Sequence, residues 1–210
     1  MRILIACEFS GIVREAFTKK GWDAWSCDFL PTEISGQHIQ GDVLNHLDEN
    51  WDLMIAHPPC TYIANSGARW LFEKEGRWQK LSEATTFFKA LLNAPIKHIA
   101  VENPLPHKWG AEQIGIKYSQ KIQPYQFGVK QKKGICLWLK NLPLLQPTDI
   151  LIPPKNKEEL KKWEAVWREP PSKDQWKNRS RTFQKVAEAM ADQWGDLEAK
   201  FQAGEKKNGL

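Results

Sequence analysis

Two residues of this chain pair a reactive side chain with a position that could hold it clear of the core. Cys60 lies in "IAHPPCTYIANSG", Ile55 to Gly67, directly after Pro58-Pro59. The two prolines fix φ and remove two backbone donors, so the chain before the thiol is stiff and the strand leading to it must stop. A buried, inert cysteine is the common alternative, although a core cysteine seldom follows Pro-Pro at a strand end. Glu102 stands in "VENP", which closes another apolar run. A carboxyl there can hydrogen-bond or protonate a ring heteroatom, or it can leave the sheet for solvent. A thiol and a carboxyl on neighbouring strand ends suit covalent addition to an electrophilic ring carbon, with proton donation close by. His57, three residues before the thiol, could line the same loop.

A second group of residues suits a nucleoside ligand. "CEFSG", Cys7 to Gly11, follows an apolar run and opens a helical pattern. Gly11 would let backbone approach a ligand closely, and the helix N-terminus would offer N–H groups. A plain strand-to-helix turn is the other reading. Asp28 ends the next apolar run, where a carboxylate can accept both ribose hydroxyls or be solvated. Asp42, in "GD", could accept from an adenine amino group or cap a following turn. The first loop is not G-x-G-x-x-G, and the chain contains no Walker A pattern.

These residues need strands that all end on one side. Short apolar runs predict strands over Arg2–Glu8, Trp22–Asp28, His38–Asn45, Trp51–Pro59, Ile96–Pro104 and Gly134–Pro143. Helices are predicted over Ser10–Gly21 and, with Ser82 as N-cap, over Ser82–Ala94. "RTFQKVAEAMADQWG", Arg181 to Gly195, places Phe183, Val186, Ala187, Met190 and Trp194 on or near one helical face. Strands alternating with helices predict an α/β, Rossmann-like fold, a mostly parallel sheet with helices on both faces. In such sheets ligands bind beyond the carboxyl ends of the strands. "CEFSG", "SCD", "GD", "HPPC" and "VENP" all fall there.

The expected organisation is a core over 1–145, a basic Pro/Lys/Trp-rich insertion over 146–180, a helix packing on the core over 181–197 and a flexible tail over 198–210. Between Lys155 and Arg181, nine Lys/Arg stand against five Asp/Glu, a surplus of four. "KEELKKWEAVWREPP" there predicts one short helix ended by Pro170. The net charge of +5 permits nucleic acid as a partner but equally fits surplus surface lysine. The 11 tryptophans could stack on bases, but tryptophan is more often core. The four cysteines form no C-x-x-C pair, which argues against structural zinc and suits free thiols; no metal is expected. "MRILIACEFSG" has no long h-region or cleavage site, so no signal peptide is expected, and no run of about 18 apolar residues predicts a membrane span.

Taken in order, Phe9-Ser10-Gly11, Asp28, Gly41-Asp42, Pro58-Pro59-Cys60 and Glu102-Asn103 resemble the cytosine-C5 DNA methyltransferase family. They follow that family's F-x-G loop, ribose-binding acid, adenine-contacting Asp, Pro-Cys nucleophile loop and Glu-Asn motif. "FGVKQKKGICLWL" is similar to its Gln-x-Arg-x-Arg strand, with Gln131 in register, and "RSRTFQKVAEAMADQW" stands where its closing motif completes the cofactor domain. The whole chain looks like the short methyltransferase-like proteins carried by phages.

The resemblance implies an S-adenosyl-L-methionine-dependent methyltransferase fold, in the cytoplasm of a bacterial or phage-infected cell. It implies methyl transfer to C5 of cytosine in DNA, single- or double-stranded. Cys60 would attack C6, Glu102 would hold and protonate N3, and Lys133 would stand for a catalytic arginine. Phe9, Ser10, Gly11, Asp28, Asp42 and Pro58 would hold the cofactor. Lys132, Lys173, Lys177, Arg179 and Arg181 would bind nucleic acid. The chain departs from the pattern at Val13 (for a second glycine), Thr61 (for Gln), and Lys133 and Ile135 (for two arginines), and its recognition region is short. The same chemistry on a free pyrimidine nucleotide or RNA is one alternative. A catalytically impaired protein that binds DNA or a partner is another.

Overall fold

The apolar runs are buried on both sides, as a parallel central sheet requires. In the computed structural model, residues 1–196 are described; the tail expected over 198–210 lies outside them. Seven strands form one sheet: β1 (Arg2–Ala6), β2 (Asp23–Asp28), β3 (His38–Gln40), β4 (Leu53–Ala56), β5 (His98–Pro104), β6 (Gln120–Ile122) and β7 (Ile135–Lys140). The order is β3-β2-β1-β4-β5-β7-β6. The first five are mutually parallel, and β7 runs antiparallel to both β5 and β6. The expected Rossmann-like α/β sheet is therefore the one observed.

Period-two alternation splits the core into two layers. Ile3, Ile5, Leu53 and Ile55 pack with Val13 and Phe17 of α1 (Ile12–Thr18) and with Val186, Met190 and Trp194 of α8 (Gln184–Trp194). Leu4, Ala6, Met54 and Ala56 pack with Leu81, Phe88 and Leu91 of α3 (Arg77–Leu92) and with Ile114 of α4 (Lys108–Ile114). Leu71 of the short helix α2 (Trp70–Glu73) joins the second layer, whereas α5 (Lys157–Trp163), α6 (Ala165–Arg168) and α7 (Gln175–Ser180) bury no residue. The C-terminal face predicted from sequence is the buried one, apart from Phe183, which is only partly covered.

Several boundaries differ from expectation. The third strand stops at Gln40 because Asp42 turns the chain into a 3-10 helix, its carboxylate accepting from Leu44 N–H at 3.0 Å. The helix predicted from Ser82 starts five residues earlier, after Gly76 in the left-handed conformation (φ 72°). The single helix predicted near Lys157 breaks at Glu164, whose carboxylate is turned to Arg168 at 2.8 Å. β6 carried no apolar signature; it pairs with β7 and is anchored by two Gln120 side-chain bonds to the Leu145 backbone, at 2.7 and 2.8 Å.

One buried charge organises the loop after β2. The Arg14 side chain is fully buried and donates to Ser26 Oγ (3.0 Å), Thr32 Oγ1 (3.2 Å) and the carbonyl of Ile34 (2.5 Å). Its guanidinium fills the space beside Gly11 and Gly36, where a Cβ would come within 2.8 and 2.9 Å of it. Arg14→Met would remove the three charged hydrogen bonds that tie Ser26, Thr32 and Ile34 together and the 3.3 Å pairing with Glu15, at a cost of about 3 kcal/mol. At about 2–4 °C per kcal/mol for a chain of this size, calorimetry should show Tm falling by about 6–12 °C. A Tm within about 2 °C of wild type would contradict this role.

Candidate active site

Because the first five strands are parallel, the polar residues after them share one edge of the sheet. The antiparallel β7 adds a sixth contribution. Its first residue, Ile135, pairs with Pro104 at the carboxyl end of β5, so Lys133 arrives at the same edge. Chain reversal thus brings together groups far apart in sequence.

Cys60 sits where the chain leaves β4 and turns. Its carbonyl accepts from the N–H groups of Ile63 (3.1 Å) and Ala64 (2.8 Å). The turn is held from β5: Asn103, 1% exposed, donates through Nδ2 to the Pro58 carbonyl at 3.0 Å. Glu102 lies next to Asn103, and its Oε2 is 3.0 Å from His57 Nδ1, with side-chain exposures of only 14% and 8%. His57 therefore engages Glu102; the sequence placed it only near the thiol. No spacing signal could reveal this contact across 45 positions. The other ring nitrogen, Nε2, is buried with no hydrogen-bond partner.

The electrostatics assign protonation states. Burial pushes the Glu102 carboxyl up, but the His57 hydrogen bond and charge, together with Lys133, more than offset it and leave it below the ordinary glutamate range. Burial raises the Cys60 thiol, and the Glu102 charge raises it further, while Lys133 and Arg179 pull it down. The resting pair is thus a thiol beside an ionised carboxylate. Lys133 acts on both groups, and its Nζ also donates to the Arg179 carbonyl at 2.7 Å.

The first loop differs from expectation. Cys7 adopts a left-handed conformation (φ 58°) and Gly11 does too (φ 73°). Between them, Glu8 is buried, and its carboxylate accepts from Val13 N–H (2.7 Å) and Arg14 N–H (3.2 Å). The N–H groups that the sequence offered to a ligand at this helix start are therefore taken by the protein's own acid. The one hint was an acid wedged between a strand and the glycine of "CEFSG". Asp28 is half-buried and holds Leu30 N–H at 2.9 Å; burial raises its carboxyl, partly offset by that hydrogen bond and by His38. Asp42 caps the turn, as its alternative reading had it.

A C-terminal segment covers this loop. Arg181 makes a bidentate pair with Glu33, at 2.8 and 2.6 Å, and its guanidinium lies 5.8 Å from the Phe9 ring centroid. Trp176 packs on Phe9 with centroids 6.1 Å apart. Two cavities lie beneath. One, of about 30 Å³, is lined by Cys7, Phe9, Ser10, His57, Arg181 and Thr182 among others. The second, of about 10 Å³, is lined by His57, Glu102, Lys133 and Phe183 among others. His57 and Arg181 border both. Such spaces hold a water or so, so a nucleoside-sized ligand requires the cover over Phe9 to move.

The residues expected to bind nucleic acid are dispersed in their engagements. Arg181 is committed to Glu33. Lys132 faces Glu164 at 3.9 Å, and its N–H donates to the Trp163 carbonyl. Arg179 lies over Trp167 at 5.4 Å and Lys177 over Trp176 at 5.6 Å. Lys173 is exposed. Among the described residues, no group of three or more His, Cys, Asp or Glu is placed to hold a metal ion, and no helix is long and apolar enough to cross a membrane. The four cysteines are unbridged.

No protein-family model matches the chain, and no curated protein matches it. Solved structures do. A protein assigned as a DNA modification methyltransferase encoded within an E. coli prophage superposes with a TM-score of 0.47 at 14% identity, covering 72% of this chain and 52% of that one. The Entamoeba histolytica methyltransferase EhMeth superposes with a TM-score of 0.45 at 14% identity, covering 72% of this chain and 57% of that one. The matched part spans little more than half the length of either protein.

Proposed function

We propose that this protein is an S-adenosylmethionine-dependent methyltransferase that modifies C5 of cytosine in DNA through a covalent Cys60 adduct. The observation that carries the reading is the buried His57–Glu102 pair beside Cys60, with Lys133 acting on both the thiol and the carboxylate. A thiol nucleophile needs a nearby proton donor if it is to add to an aromatic ring without losing the ring nitrogen's help.

The loop chemistry fits the cofactor. Asp28 is a strand-end carboxylate with one oxygen on Leu30 N–H, and it would take the ribose hydroxyls. Phe9 offers a ring face to a base once Trp176 withdraws. Ser10, Gly11, Asp42 and Pro58 would complete the enclosure. When bound, S-adenosylmethionine supplies an electrophilic methyl group.

The protein's own residues account for the remaining chemistry. Cys60 Sγ forms a bond to C6 of cytosine while Glu102 shares a proton with N3, so the electron pair displaced from the C5–C6 bond makes C5 nucleophilic. The ionised Glu102 has no proton of its own to give; the one it passes to N3 is the proton the Cys60 thiol loses, and His57 Nδ1, 3.0 Å from Oε2, orients the carboxylate. Burial and, after it, the Glu102 charge hold the Cys60 thiol up; as Glu102 takes the thiol proton on its way to N3 that charge is cancelled, so proton relay and thiolate formation favour each other. With the methyl group on C5 and S-adenosylhomocysteine released, loss of the C5 proton to solvent would restore the C5–C6 double bond and expel the Cys60 thiolate, and the N3 proton would return through Glu102. A target inside duplex DNA must first be flipped out of the stack.

The test is incubation with S-adenosylmethionine labelled in the methyl group and, separately, single-stranded DNA, duplex DNA, RNA and dCMP. Label at C5 of cytosine in DNA is the expected result. Label confined to dCMP or RNA would overturn the DNA assignment. No transfer to any of them, with no cofactor binding by calorimetry, would overturn the reading as a whole.

A further inference from the structure

The chain immediately after Cys60 carries aromatic and cationic side chains that the proposed chemistry does not use. Phe72, Trp78 and Trp109 pack edge to face, with centroids 5.0 to 5.9 Å apart, yet Phe72 stays 66% exposed and Trp78 42% exposed. Cations interleave with the rings. Arg69 and Lys74 lie over Trp70 at 4.1 and 4.4 Å, and Arg77 lies over Tyr62 at 4.4 Å. The cluster is tied to the nucleophile's own turn. Arg77 Nη2 donates to the Thr61 carbonyl at 3.3 Å, and His107, whose ring contacts Trp109 edge-on, is 2.9 Å from the Tyr62 carbonyl.

Large rings left in water cost free energy, and a satellite core would bury them more completely. Two exposed rings, Phe72 and Trp78, beside cations that lie over the neighbouring Trp70 and Tyr62 match one kind of partner: a strand whose bases are free to stack and whose phosphates lie alongside. In a duplex the base faces are already occupied by their neighbours. The basic segment nearer the C-terminus is less suited to this. Arg181 and Arg168 there are turned to Glu33 and Glu164.

We propose that the exposed rings of Phe72 and Trp78, with Arg69 and Lys74 beside them over Trp70, form a stacking platform for single-stranded DNA. The platform holds the strand beside the Cys60 turn, so the target cytosine arrives already unstacked and no duplex need be opened. This rests on the DNA methyltransferase reading above and narrows its substrate to a single strand.

The experiment is fluorescence anisotropy with one labelled sequence prepared as single-stranded DNA, duplex DNA and RNA. The proteins are the wild type, Phe72→Ala/Trp78→Ala, Phe72→Tyr/Trp78→Phe and Lys74→Ala. Thermal melting of each variant verifies folding. The wild type is expected to bind single-stranded DNA most tightly. Losing two stacking rings should weaken that binding by about a hundredfold, at roughly tenfold per stack. The Tyr/Phe variant, which keeps two rings, should stay within a few fold of wild type. Lys74→Ala should lower the salt slope by about 0.7, the loss of one phosphate contact on a single strand. Tighter binding of duplex or RNA, or unchanged binding by the Ala/Ala variant, overturns the platform. The chemistry is read separately from adduct formation with 5-fluorocytosine DNA. Ring-dependent binding without any adduct would leave the platform standing and remove the methyltransferase reading; an adduct with ring-independent binding would do the reverse.

Discussion

Cys60→Ser is expected to abolish methyl transfer, by more than about 10³-fold, because an unactivated hydroxyl is a weak nucleophile at its own pKa. The sharper readout is trapping. On 5-fluorocytosine DNA, with S-adenosylmethionine present, the wild type should accumulate a covalent complex that survives denaturing electrophoresis. Fluorine replaces the C5 proton and cannot leave as a cation, so the Sγ–C6 bond has no route to break. Cys60→Ser should give none of this complex. A complex that persists in the serine variant would place the nucleophile elsewhere, and Cys7, which lines the adjoining cavity, would be the next residue to replace. The thiol also has an expected pH signature. Burial and then the Glu102 charge raise it, so alkylation of Cys60 should accelerate only at pH values above the ordinary cysteine range.

Glu102→Gln should lower kcat by about 10²–10⁴-fold, the usual contribution of a positioned acid or base, with cofactor binding unchanged by calorimetry. Glutamine keeps the shape and can still hydrogen-bond, but it cannot carry the proton to N3. The variant has a second consequence with a definite sign. Removing the carboxylate charge removes a cause that raises the Cys60 thiol, so the alkylation profile should move to lower pH than in wild type. Glu102 is itself held low by His57, with Lys133 helping against burial. Unchanged turnover would take Glu102 out of the mechanism. Reduced turnover with an unmoved alkylation profile would mean that Glu102 acts on substrate without coupling to the thiol.

Much of the fold was legible because its elements follow local rules. Parallel strands buried on both faces read as short apolar runs, and "RILIA", "LMIA" and "HIAV" are such runs. The C-terminal helix showed its buried face through 3.6-residue spacing alone. Boundaries set by tertiary contact were not legible. α3 begins at Arg77 because Leu81 is buried against the sheet, whereas Ser82 resembled a cap. β6 exists through its pairing with β7 and the Gln120 anchor, neither of which leaves a pattern in three residues.

The sequence by itself determined that a thiol and several acids would stand at strand ends of one parallel sheet. Strand direction follows from alternating βα units, and the prolines and glycines mark where each strand must stop. Only the tertiary structure decided what each of these groups touches. Glu8 closes the helix start that had looked open, Arg181 is spent on Glu33, and His57 reaches Glu102 rather than the thiol. Lys133 joins them because β7 runs backwards along β5. These are contacts between residues tens of positions apart, and strand order and direction create them; no local spacing encodes them.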